Sequence, residues 1–118
     1  MGSLLTKTIP FNATTAETVV ATGTLSSVRE RPDVDPRVWK GMVYNDGSSA
    51  VVIKLYGSAD NDSWTQVGSS VTVKAAGKGV LSFAISGKYS YYKLTATGST
   101  AATSGRIELY DFSGAFDR

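Results

Sequence analysis

Apolar and polar positions alternate through residues 43–97, and short clusters of Gly, Asn, Asp and Ser break the alternation. Period-two alternation sends successive side chains to opposite faces of a strand, one for a core and one for water. Val51, Ile53 and Leu55 point one way, with Val52, Lys54 and Tyr56 the other. Leu81, Phe83 and Ile85 form an inward set against Ser82 and Ala84, and Tyr92, Leu94 and Ala96 oppose Tyr91, Lys93 and Thr95. Outside this stretch, Leu5, Ile9 and Phe11 share a face of a first strand. Val19 and Ala21 oppose Thr18, Val20 and Thr22 in a second, and Ile107 and Leu109 carry a last core strand.

The punctuation places the turns. Asn45-Asp46-Gly47-Ser48-Ser49 reads as a hairpin after a strand over about Val38–Tyr44, because Asp-Gly accepts the positive φ angles of tight turns. Turns follow at 57–62, 77–79 and 87–88, and a polar loop at 98–105. Between the first two of these turns, Ser63–Val67 and Val71–Lys74 read as separate short strands. Pro10 has no N–H for a ladder, so its strand is expected at a sheet edge or to end there. The pattern predicts eight or nine strands and no helix, an all-β fold. Such a set folds as a single antiparallel β-sandwich with jelly-roll or related Greek-key topology. An immunoglobulin-like sandwich is the alternative, without its usual Cys pair.

Residues 26–37, SSVRERPDVDPR, break the alternation with two prolines and alternating charges. This stretch is expected to be an exposed, proline-stiffened loop. The ending 112–118, FSGAFDR, sets two phenylalanines around a flexible Ser-Gly. It is expected to pack on the sandwich or on another subunit.

At 118 residues the chain is expected to form one domain, 1–118, with a flexible start. The net charge of +2 is scattered along strands and turns, without the basic face interleaved with aromatics that nucleic-acid binders carry. The longest apolar run, Ala50–Ile53, is four residues, so no membrane-spanning helix is expected. With no His and no Cys, the Ser-His-Asp and Cys-His arrangements and thiolate or imidazole metal centres are unavailable. No enzyme activity, cofactor or metal is therefore expected. Asp60-Asn61-Asp62 groups three oxygen-bearing side chains, but it reads as a turn that bonds its own backbone rather than a Ca²⁺ loop. Asp33 and Asp35 are weak candidates for a catalytic pair. Two tryptophans and six tyrosines offer flat rings for sugar stacking. Among them, Tyr91 is the better candidate for exposure, while Trp64 is expected to cover the end of the core.

Tyr44-Asn45-Asp46-Gly47-Ser48-Ser49, Leu55-Tyr56-Gly57-Ser58 with Trp64 after a polar turn, and Gly87-Lys88-Tyr89 with Tyr91-Tyr92-Lys93-Leu94 together resemble a segment of small structural proteins of tailed bacteriophages. The resemblance implies a virion component. The first expectation is a capsid decoration (cement) protein that binds the major capsid protein on the capsid surface, as a homotrimer. The alternative is a carbohydrate-binding or receptor-recognition domain of a phage tail or head fibre. Partner contacts are expected from residues 1–12, the loop 26–37 and the tail 112–118. Arg29, Arg31 and Arg37 offer multi-donor heads for carboxylates, and Phe112 and Phe116 offer apolar anchors.

Overall fold

A computed structural model of the protein describes residues 6–24, 37–85 and 89–110. Eight strands form: β1 (Thr6–Ala13), β2 (Thr18–Thr24), β3 (Arg37–Asn45), β4 (Val51–Ser58), β5 (Thr65–Val73), β6 (Lys78–Ile85), β7 (Tyr91–Gly98) and β8 (Thr103–Tyr110). They build two four-stranded sheets, ordered β1-β8-β3-β6 and β2-β7-β4-β5, and every pairing is antiparallel. The pairings nest: first with last, second with seventh, third with sixth, fourth with fifth. This is the expected sandwich of jelly-roll or related Greek-key type, a long antiparallel ribbon folded over itself.

The inward positions of both sheets meet in one core. Ile9, Phe11, Val43, Leu81, Phe83, Ile107 and Leu109 come from the first sheet. Val51, Ile53, Leu55, Val73, Tyr92, Leu94 and Ala96 come from the second. On β4, β7 and β8 these include every residue that alternation assigned inward, and on β6 Leu81 and Phe83 of its inward set; Thr95, assigned outward on β7, is buried as well. Pro10 lies on β1, an edge strand, where its missing N–H breaks no interior ladder.

Four sequence expectations are corrected. The segment Asn45–Ser49 is not a hairpin, because β3 and β4 lie in different sheets; it is a corner that crosses the sandwich. Ser63–Val67 and Val71–Lys74 are not two strands. They fall in one strand, β5, which opposes two steps of β4 (Ile53 to Leu55) with four of its own (Val71 to Val67). Gly68, at φ 74°, absorbs the excess as a bulge. Val19 does not share the core with Ala21: a register shift on edge strand β2 turns it outward at 54% exposure, while Val20 and Ala21 pack on the core. Finally, Arg37 opens β3, one residue before the expected start, rather than closing the preceding loop.

Candidate functional site

Antiparallel order sorts the connections to two ends. At one end lie the corners β1–β2, β3–β4, β5–β6 and β7–β8. At the other, the chain leaves β2 at Thr24, enters β3 at Arg37, starts β1 at Thr6 and leaves β8 at Tyr110, beside the β4–β5 turn. The two ends differ in chemistry.

The first end is closed by its own hydrogen bonds, and Asn45 is the centre of the closure. Its side chain lies in a residue only 1% exposed. Nδ2 donates to the carbonyl oxygens of Ser49 (2.8 Å), Val73 (3.1 Å) and Lys74 (3.1 Å). Oδ1 accepts from the Gly47 N–H (2.9 Å) and the Thr103 hydroxyl (2.8 Å). One amide thus ties β3 to its own corner, to the end of β5 and to the start of β8. Gly47 is fixed by the same packing, since a Cβ there would collide with the Thr103 side chain. An open hollow of about 680 Å³ borders this end, between Tyr44, Asp46, Lys74 and Lys78.

The second end keeps polar and aromatic groups available. The β4–β5 turn is built on Asp60, whose Oδ1 accepts from the backbone N–H of Asp62 and of Ser63 and from the Ser58 hydroxyl, each at 2.9 Å. These bonds hold the carboxyl below the usual carboxylate range, with the Ser63 N–H the largest cause. The side chain serves its own backbone, as a turn does, and no group of three metal-ligating side chains forms among the described residues. Asn61 sits at φ 60°, a left-handed conformation that Asn tolerates better than most residues. The turn sets Asn61 and Trp64 against the ends of β2 and β7. There they form a cleft of about 140 Å³ with Thr22, Gly23, Tyr91 and Tyr92.

Beside the cleft, the Lys93 ammonium stands 4.7 Å from the centre of the Trp64 ring and 5.3 Å from that of Tyr56. Both distances fall within cation–π range. The Tyr56 hydroxyl donates to Glu17 Oε2 (2.7 Å), and the Thr95 hydroxyl donates to the same oxygen (3.3 Å). Losing the Tyr56 proton would set two negative oxygens together, so the hydrogen bond to Glu17, then burial and the Glu17 charge, push Tyr56 up to about 12. This cluster is held together by spatial pairing. The sequence shows only separated aromatics.

The aromatics therefore sort by position. Tyr92 is buried in the core, with burial pushing its hydroxyl up to about 12, and it meets Tyr89 edge-on at 6.1 Å. Tyr89 packs against the core and covers Gly57. Tyr44 is covered by the Arg106 guanidinium at 4.1 Å. Trp64 and Tyr91 combine partial exposure with a place on the small cleft, as the Arg106-covered Tyr44 does on the open hollow at the other end.

The outward side of the first sheet is a second candidate surface. Register aligns Thr8, Glu108, Met42 and Val80 in one row, and Pro10, Arg106, Tyr44 and Lys78 in the next. Val80 is 67% exposed, and Arg106 pairs with Glu108 at 3.4 Å. Arg29, Arg31, Phe112 and Phe116 lie outside the described residues; the backbone of Arg37 starts β3.

No family model matches the chain, and no curated protein matches it in sequence. Solved structures do share its fold. A structure from Bacillus endospore appendages, described as a family of disulfide-linked pili, is 15% identical, with 92% of this chain and 83% of that chain covered at a TM-score of 0.61. PirA is 14% identical, with 89% and 91% covered at a TM-score of 0.56. The SPBc2 prophage-derived protein YomS, 14% identical with 90% and 95% covered, has a TM-score of 0.45, too loose to argue from. At these identities the likeness shows the sandwich and no more.

Proposed function

We propose that the protein is a non-enzymatic structural component of a virus particle, a capsid decoration protein that binds the major capsid protein and stabilises its shell. The observation that carries this reading is the two-ended build. One end is sealed by Asn45. The strand ends that lead to Arg29, Arg31, Phe112 and Phe116 all converge on the opposite end, with Arg37 opening β3 there. Segments distant in sequence would then contribute to one docking region on a rigid body, which suits attachment across a joint between shell subunits. The sequence resemblance to structural proteins of tailed bacteriophages and the fold shared with a pilus protein support an assembly role. That pilus family is described as disulfide-linked; these 118 residues hold no Cys and can form no such link.

A contact of this kind needs more than roughly 1,000 Å² in total, and repetition around a shell multiplies modest affinities. The guanidinium groups would pair with carboxylates of the partner, and the phenylalanines would supply its apolar centre. Self-association as a trimer would draw on the same segments. Two variants test the assignment: the triple change R29A/R31A/R37A, and deletion of 113–118. Both are expected to unfold at the parent temperature yet lose most particle binding and self-association in sedimentation assays. Full binding by both variants would place the interface elsewhere, with the Met42–Val80 face the next to examine.

A further inference from the structure

The cleft at the open end carries a binding site of its own. We propose that it takes one pyranose ring of a neutral glycan. It is lined by Trp64 and Tyr91, both partly exposed, together with the buried Tyr92 and with Gly23, Thr22 and Asn61. Four features favour this occupant. The volume of about 140 Å³ is well below the roughly 300–1,000 Å³ of pockets that enclose drug-sized ligands, so it fits one ring rather than a chain. The aromatic faces are electron-rich and suit the axial C–H bonds of a sugar ring. The Thr22 and Tyr91 hydroxyls and the Asn61 amide make no hydrogen bond to another described residue, which leaves them available to sugar hydroxyls. Among the described residues no charged side chain lines the cleft, which favours an uncharged ring.

The site is also held in advance. Asp60 and Ser58 brace the turn that carries Asn61 and Trp64, and the Lys93 ammonium lies over the indole ring at 4.7 Å, which leaves the opposite ring face for a sugar. Bracing before binding lowers the ordering cost that otherwise weakens small-ligand contacts. Asn61 in a left-handed conformation, where Gly would fit without strain, places an amide at the cleft. The inference does not depend on capsid binding: the cleft lies at the end assigned to the shell, so it would take a glycan in the unattached protein, and shell binding would compete with it.

The test is a nuclear magnetic resonance titration of the full chain with glucose, galactose, mannose and N-acetylglucosamine, up to about 50 mM, well above the millimolar affinity typical of a single weak site. The expected result is saturable shifts, for at least one sugar, at the Trp64 indole N–H and the backbone of Asn61 and Tyr91. W64A is expected to weaken binding at least about tenfold with unchanged thermal unfolding, a change of about 1.4 kcal/mol. Should W64A fail to fold, N61G decides. It keeps the turn conformation and removes only the amide, and its affinity is expected to fall several-fold. No saturable shift from any of the four sugars, or full binding by the folded variant, would overturn the site. Neither outcome touches the capsid assignment, which particle binding tests separately.

Discussion

N45D will unfold at markedly lower denaturant than the parent chain, by an amount equivalent to about 3–5 kcal/mol at pH 7. The change is one atom in size, yet it reverses the polarity of one arm of the side chain. Nδ2 of Asn45 faces three backbone carbonyls, of Ser49, Val73 and Lys74. A carboxylate oxygen there sets acceptor against acceptor and buries a charge in a residue 1% exposed. N45A, which only removes the hub, leaves the Gly47 N–H, the Thr103 hydroxyl and the three carbonyls short of partners and is expected to cost about 2–4 kcal/mol. The two variants separate by pH. The introduced carboxyl has a folded-state pKa above its unfolded value of about 3.9, because the neutral acid is the better tolerated form. Its charge penalty is therefore absent below about pH 4 and grows as pH rises towards the folded pKa. Urea unfolding at pH 4 and pH 7 checks this; N45D within about 1 kcal/mol of the parent at pH 7 would remove Asn45 from its central place.

L55A is the second large effect, through a cavity rather than a polar conflict. Leu55 lies in β4, an interior strand of the second sheet, with Leu94 opposite it on β7 and Val67 on β5. It is fully buried, so truncation leaves a void that strands paired on both sides close poorly. The expected loss is about 2–5 kcal/mol, which for a domain of this size lowers the melting temperature by about 10 °C. V80A serves as the control. Val80 stands 67% exposed on the outward side of edge strand β6, and its truncation is expected to stay within about 0.5 kcal/mol. Equal losses from the two variants would contradict the division between core and face.

Strands β4, β6, β7 and β8 were legible in the sequence because alternation is a local property, and burial follows it at most of their described positions; Thr95, placed outward by alternation, is buried. What escaped depends on partners far along the chain. Asp46-Gly47 has the chemistry of a hairpin, but Asn45 binds Val73, Lys74 and Thr103, 28 to 58 residues away, and these contacts turn the chain across the sandwich. Gly68 looked like a break between two strands, whereas a positive φ there lets one strand bulge and continue. Val19 alternates correctly in sequence and faces water, because a bulge on an edge strand shifts the phase. The Trp64–Tyr91 cleft was only half visible. Exposure of Tyr91 follows from its face, but the cleft needs the end of β2, the β4–β5 turn and the start of β7 in one place. No local spacing encodes that meeting. The resemblance to phage structural proteins rested on the turns and aromatic runs of 43–97, which are packing motifs, and so it leaves the partner to be found.

Cryo-electron microscopy of particles carrying the protein decides whether it attaches to a capsid through one end of the sandwich, as proposed. Density for the two-sheet body is expected on the outer shell, at joints between major capsid subunits. The end where β2 stops at Thr24 and β8 stops at Tyr110 faces the shell, and the Asn45 end points outward. A shell without this density, or a body seated on its Asn45 end, would contradict the proposal.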